Sequence, residues 1–165
     1  MDKTELESEC WVAPLEETQI LVFSSFFFMI PGFYAFILGC YARSILLVIT
    51  SLVAANYWRK ATYGWRRDCD LILAKISFAT FSIPGFFYIT EKSLFFSYCF
   101  GFLAVVITYW KSGELSKVKN KDWVIYHFIF HILISVGATI SLYGTFDSNN
   151  FTPMKIYTFS HLICP

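Results

Sequence analysis

Five long apolar runs dominate this chain, at about 19–42, 44–58, 70–90, 93–110 and 123–144, with short polar breaks between them. Each is close to the ~20 residues a helix needs to cross ~30 Å of hydrocarbon. Backbone amides in lipid must be hydrogen-bonded internally, and none of the runs has the strict alternation of a barrel strand, so helices are expected. The second run, "SILLVITSLVAANYW", is the shortest at fifteen residues. It still counts as a span, because omitting it would put the charged loops on conflicting sides of the membrane. The fold class read from these runs is all-α, an integral membrane bundle of about five transmembrane helices. Composition agrees: 56% hydrophobic and 21% aromatic side chains against 15% charged ones is not the balance of a soluble domain of 165 residues.

Lysine and arginine set the orientation, because cytoplasmic loops carry them in excess. Arg59, Lys60, Arg66 and Arg67 follow the second run, Lys111, Lys117, Lys119 and Lys121 follow the fourth, and Lys3 joins them, nine residues against Arg43, Lys92 and Lys155 on the other side. The expected layout is an acidic cytoplasmic segment over 1–18, a five-span membrane domain over 19–144 and a short tail over 145–165, with the N-terminus cytoplasmic and the C-terminus extracytoplasmic. The acidic start "MDKTELESECWVAPLEETQ" lacks the basic opening and short apolar core of a cleavable signal, so the first span is expected to be retained. The basic residues sit in two short loops instead of along one polar surface, which points away from nucleic acid and toward membrane lipid as the partner. Cys10, Cys40, Cys69, Cys99 and Cys164 form no CxxC pair, and their odd number argues against a closed disulfide framework. Cys69 reads as an interfacial thiol, with reversible palmitoylation as the alternative. The glycosylation pattern Asn150, Phe151, Thr152 lies close to the membrane and is followed by Pro153, so its use is not expected.

Residues able to carry chemistry gather at one membrane side. The third and fifth runs both begin in the cytoplasm and place Asp70, Lys75, His127 and His131 within their first turns. His127 and His131 are four positions apart, about 40° around a helix and ~6 Å along it, so their rings share a stripe and could share a metal ion. Ionisable residues inside a membrane are costly and default to a functional reading. The structural alternative is that both histidines hydrogen-bond to neighbouring helices. Lys75 can instead snorkel to the interface, with Asp68 seven residues earlier offsetting its charge. Asp70 can cap the third helix. Arg66 and Arg67 can meet lipid phosphates or act as topology determinants. Tyr57, Trp58, Trp65, Tyr109, Trp110, Trp123 and Tyr126 fall at the cytoplasmic ends of the runs, as an anchoring belt would.

An internal echo runs through the chain. "IPGFYAF" at 30–36 is matched by "IPGFFYI" at 83–89, "YWRK" at 57–60 by "YWKS" at 109–112, and Asp70 by Asp122, at offsets of 53 and 52 residues. A duplicated two-helix unit and chance agreement of aromatic spans both account for it. Pro31-Gly32 and Pro84-Gly85 fall mid-span, where proline removes a helical hydrogen bond and kinks the axis.

The segment "DLILAKISFATFSIP", with Asp70 fourteen residues before Pro84, and the late segment "HFIFHILISVG" resemble the CREST superfamily of membrane hydrolases and receptors, which includes alkaline ceramidases, progestin/adiponectin receptors and bacterial hemolysin III proteins. The resemblance covers about residues 44–90 and 122–138. Its pattern also has a serine and a first histidine before the Asp helix, where this chain has Ala54 and Trp58 in "LVAANYWR", and its members have seven spans where five are read here. What it implies is a zinc ion held by histidines, His127 and His131 in this sequence, with Asp70 orienting a metal-bound water that attacks an amide or ester of a lipid. Two histidines fall short of the three protein ligands usual for catalytic zinc. Asp68, Asp70 or Asn56 are the remaining candidates for the third place.

Three functions follow as alternatives. The first is a multi-pass protein of CREST-like descent whose partial metal site is non-catalytic and which associates with lipid or partner subunits. The second is a zinc-dependent lipid amidase or esterase using Asp70, His127 and His131. The third is a small transporter of two duplicated hairpins, which would need a homo-oligomer to line a path.

Overall fold

The computed structural model describes residues 12–146. The first eleven residues, with Lys3 and Cys10, and the tail from Asp147, with the Asn150 pattern, Lys155, His161 and Cys164, lie outside the described residues. The described chain is all-helical. Five helices follow one another: α1 (Leu15–Ile37), α2 (Tyr41–Arg59), α3 (Trp65–Tyr88), α4 (Lys92–Lys117) and α5 (Trp123–Phe146). Four of them, all but α2, are long and apolar enough to cross a membrane.

The boundaries differ from the apolar runs because helices extend into polar flanks. Pro14 fixes the backbone just before α1, and Glu16 and Glu17 occupy its first turn, where acids suit the helix dipole, so four residues assigned to the acidic segment are helical. Gly39 ends α1 at φ +76°, a left-handed position that favours glycine, and the Cys40 amide returns to the Ala35 carbonyl at 2.8 Å. Helix α3 starts at Trp65, with Asp68 in its first turn and Asp70 inside the helix, which corrects the reading of Asp70 as its cap. At the start of α4 the Glu91 carboxylate accepts hydrogen bonds from the Ser93 hydroxyl (2.7 Å) and from the amides of Leu94 (2.6 Å) and Ser93 (2.9 Å). These bonds, the Ser93 hydroxyl first, hold its pKa below the usual value.

Successive helices run in opposite directions. One end of the bundle gathers the start of α1 and the α2–α3 and α4–α5 loops: the Val12 amide reaches the Ala61 carbonyl at 2.7 Å, and Lys121 lies 3.5 Å from Glu17. Helix α2 packs against α1 and α3, while α5 packs against α1, α3 and α4. Aromatic and aliphatic side chains fill two cores. One, at the charged end, holds Leu21, Tyr57, Trp58 and Trp123, and the other holds Phe28, Leu47, Phe81 and Leu142. The outward surface is also apolar, with Phe87 and Phe100 each 77% exposed. Apolar atoms on both faces of a helix suit a lipid surround.

With lipid outside, hydrophobic contrast cannot hold helices together, and packing and interhelical hydrogen bonds take over. Six neighbouring pairs each have a polar tie. Ser51 donates to the Ser25 carbonyl (α1–α2, 2.9 Å), Thr50 meets Ser77 (α2–α3, 2.7 Å), and Ser24 meets His131 (α1–α5, 2.7 Å). Ser141 donates to the Phe81 carbonyl (α3–α5, 2.7 Å), Tyr98 to the Ser82 carbonyl (α3–α4, 3.1 Å), and Ser112 to the Trp123 carbonyl (α4–α5, 3.1 Å). Two of these ties land on the Phe81 and Ser82 carbonyls just before Pro84, next to the Thr80 carbonyl that the proline leaves without its helical N–H. In α1 the irregularity is a 3-10 turn at Phe26–Phe28, just ahead of Pro31. Among the cysteines, Cys40 is disulfide-bonded, while Cys69 and Cys99 are free.

Candidate functional site

The α3–α4 hairpin is closed at one end and open at the other. Near its turn the helices meet through Phe86 on Tyr98 (5.3 Å), Phe86 on Phe102 (4.9 Å) and Phe78 stacked on Phe102 (5.4 Å). Gly85 makes this approach feasible, because a Cβ there would clash with the hydroxyl end of the Tyr98 ring. Toward the charged end the two helices separate, and the space between them and α5 is a cavity of about 290 Å³.

That cavity has an apolar body and a polar end. Phe78, Phe81, Phe102, Val105 and Ile134 supply its walls, with Gly101 and Gly137 leaving open space where side chains would stand. Asp70, Lys75, Tyr109 and His127 line it toward the end shared by the α2–α3 and α4–α5 loops, and His131 lies one turn deeper. The structure thus brings Asp70, Lys75, His127 and His131 to one cavity, as their shared depth in the sequence suggested.

The two rings pack edge to face, centroids 4.9 Å apart. Their Nδ1 atoms are taken by serines. His131, only 3% exposed, bonds Ser24 at 2.7 Å, and His127 bonds Ser112 at 3.3 Å. A hydroxyl has one hydrogen. Ser112 gives its hydrogen to the Trp123 carbonyl, so the His127 Nδ1–H donates to Ser112 and Nε2 is left as the acceptor. Ser24 likewise lies within reach of a helix carbonyl, that of Leu21 at 3.2 Å. No signal at fixed spacing in the sequence marks Ser24 or Ser112 as partners.

Trp58, where the CREST pattern has its first histidine, rests its indole against the His127 ring at 4.9 Å and against Trp123 at 5.8 Å. Ala54 lines the cavity beside it. Tyr57, Trp58 and Trp123 are therefore core residues and not interfacial anchors, while Trp65 and Trp110 keep that exposed position. A zinc site is a question of donors. Two imidazole Nε2 atoms are oriented by serines, but among the described residues no three His, Cys, Asp or Glu side chains gather where they could hold a metal ion. Among the described residues the two imidazoles thus lack the third protein ligand usual for zinc.

The other candidates lie elsewhere. Arg66 packs over Trp65 at 5.6 Å, Arg67 over Tyr63 at 5.2 Å, and Asp68 is exposed at the same end of α3. None of the three lines the cavity. The two Pro-Gly pairs take parallel places, each glycine facing the following helix, Gly32 toward Leu47 and Gly85 toward Tyr98. The hairpins differ in outcome, since α1 packs along α2 whereas α3 splays from α4.

No protein-family model matches this chain, no curated protein matches it, and no solved structure matches its fold.

Proposed function

We propose that this chain is a non-enzymatic five-span membrane protein, N-terminus in the cytoplasm, that binds a membrane lipid inside its bundle. Five spans are supported by α2 itself: nineteen residues rise ~28 Å, and it joins the same two bundle ends as its neighbours. Thr50 and Ser51 in its middle are hydrogen-bonded to α3 and α1, so these polar groups of α2 are satisfied within the bundle. Orientation is supported by charge, since Arg59, Lys60, Arg66, Arg67, Lys111, Lys117, Lys119 and Lys121 belong to one end of the bundle and Arg43 and Lys92 to the other.

The observation that carries the lipid reading is the cavity between α3, α4 and α5, walled mainly by apolar side chains and lined by Asp70, Lys75 and His127 toward the charged end. Ligand sites generally combine such walls with a few placed polar groups. Descent from a CREST-like bundle is supported by Ala54, Asp70, His127 and His131 lining one cavity with Trp58 packed against His127. A lipid with a photoactivatable group on its acyl chain tests the reading in nanodiscs. Labelling is expected at wall residues such as Phe102 and Ile134, and labelling confined to outward residues such as Phe87 and Phe100 would overturn it.

A further inference from the structure

The polar end of the cavity carries both signs of charge on a single helix. Asp70 and Lys75 both line it, and neither belongs to an ion pair among the described residues, where the pairs are Lys117 with Glu114 and Lys121 with Glu17. Tyr109 and the His127 ring complete that end with a phenol and an imidazole acceptor. A lone carboxylate and a lone ammonium beside an apolar channel complement a headgroup that carries a cation and an anion together. A ligand with only one sign would leave one of them uncompensated in a low-dielectric site, which is costly.

The apolar part sets the rest of the ligand. Its volume of about 290 Å³ is near the lower end of the ~300–1,000 Å³ of ligand sites. That suits one hydrocarbon chain. From Asp70 to Phe81 the wall of α3 runs about 16 Å, at ~1.5 Å per residue, so head and chain lie along the bundle axis. The separation of α3 from α4 is on the same side as Lys75, whose side chain is exposed at the opening.

We propose that the cavity selects a single-chain zwitterionic phospholipid, with the headgroup ammonium at Asp70, the phosphate at Lys75 and the chain between the stacked Phe78–Phe102 pair and Gly137. This rests on the lipid reading above and names its ligand class. The phosphate finds a donor in Lys75, and the ammonium finds its counter-charge in the Asp70 carboxylate, with the Tyr109 ring beside them.

The test is displacement of a fluorescent single-chain probe from the full chain in nanodiscs. The competitors each carry one hydrocarbon chain of the same length and differ in headgroup: lysophosphatidylcholine, lysophosphatidic acid, an alkyl trimethylammonium and a monoacylglycerol. Lysophosphatidylcholine is expected to compete at least tenfold better than the other three. Asp70→Asn should relax discrimination against lysophosphatidic acid, and Lys75→Gln discrimination against the alkyl ammonium, each about fivefold or more. Gly137→Phe should block all four, because its side chain grows into open cavity; Gly101→Leu serves the same purpose if the first variant does not fold. Equal competition by all four headgroups, with the block by Gly137→Phe intact, would overturn the zwitterion assignment and leave the lipid reading standing. Binding unaffected by both glycine variants would overturn the lipid reading as well.

Discussion

The Ser24 hydroxyl of α1 and the His131 imidazole of α5 meet at 2.7 Å between Oγ and Nδ1, both inside the bundle core. A histidine in an apolar helix is here one half of a tie between helices. Interhelical bonds of this kind contribute roughly 0.6 kcal/mol on average and up to about 1.7 in membrane proteins. Ser24→Ala and His131→Ala should each lower stability by about 1–3 kcal/mol, since each leaves a buried polar group unpaired. In a double-mutant cycle read by reversible unfolding in mixed micelles, the coupling should be about 1 kcal/mol, and zero coupling would remove the structural role of His131.

Metal dependence separates the structural from the hydrolytic reading. The wild-type chain should purify with far less than stoichiometric zinc by elemental analysis, and chelation should leave its melting temperature unchanged. Trp58→His supplies a third imidazole beside His127, and that variant should gain chelator-sensitive zinc. Stoichiometric zinc in the wild type would restore the hydrolase.

Gly85→Ala drives a methyl group into the ring of Tyr98, which is buried and bonded to Ser82. Overpacking of this sort costs about 1–3 kcal/mol. Shortening the ring by Tyr98→Leu in the same chain should recover part of the loss, giving a double variant more stable than Gly85→Ala alone in a thermal melt.

Glu91 gives a pH signature. Its folded-state pKa lies below the ordinary value, so its contribution is present above the unfolded value and is lost as pH falls through the folded one. Amide exchange at Ser93 and Leu94 should therefore accelerate under acid conditions below the usual glutamate range, relative to the exchange of α4's interior. Glu91→Gln should flatten that dependence.

Sidedness tests α2. Single cysteines at Thr62 and Lys119 should react with an impermeant maleimide from the cytoplasmic side, and at Leu38 and Thr90 from the other, in a background whose exposed Cys69 is replaced. Thr62 and Leu38 reacting from one compartment would mean that α2 does not cross.

The number and order of helices was legible because four runs are long enough to stand by length alone, and the shorter second run counts only because the charged loops on either side of it require a helix there. Their ends were not: Glu16, Arg66 and Lys117 are charged, and nothing in an apolar window marks where a helix passes out of lipid. The gathering of Asp70, Lys75, His127 and His131 followed from depth, which periodicity and orientation fix without knowledge of packing. Which side of each helix faces which neighbour did not follow. Large apolar side chains lie on outward and inward faces alike, so Tyr57, Trp58 and Trp123 read as anchors although they are core, and Ser24 and Ser112 carried no mark at all. The cavity was invisible for a related reason: it exists because Gly101 and Gly137 remove side chains at a place where α3 has already swung away from α4.

The short 3-10 turn at Phe26–Phe28 has a geometric corollary. Each of its residues advances the chain by about 120° in place of about 100°, so the half of α1 beyond it is twisted by about 60° relative to a uniform rod. A helical wheel drawn over all of α1 would thus superimpose two stripes that do not coincide in space. Removing one residue from the turn would swing Pro31, Gly32 and Ala35 away from α2 while leaving Leu21, Ser24 and Ser25 in place, turning a one-residue deletion into a misalignment of half a helix.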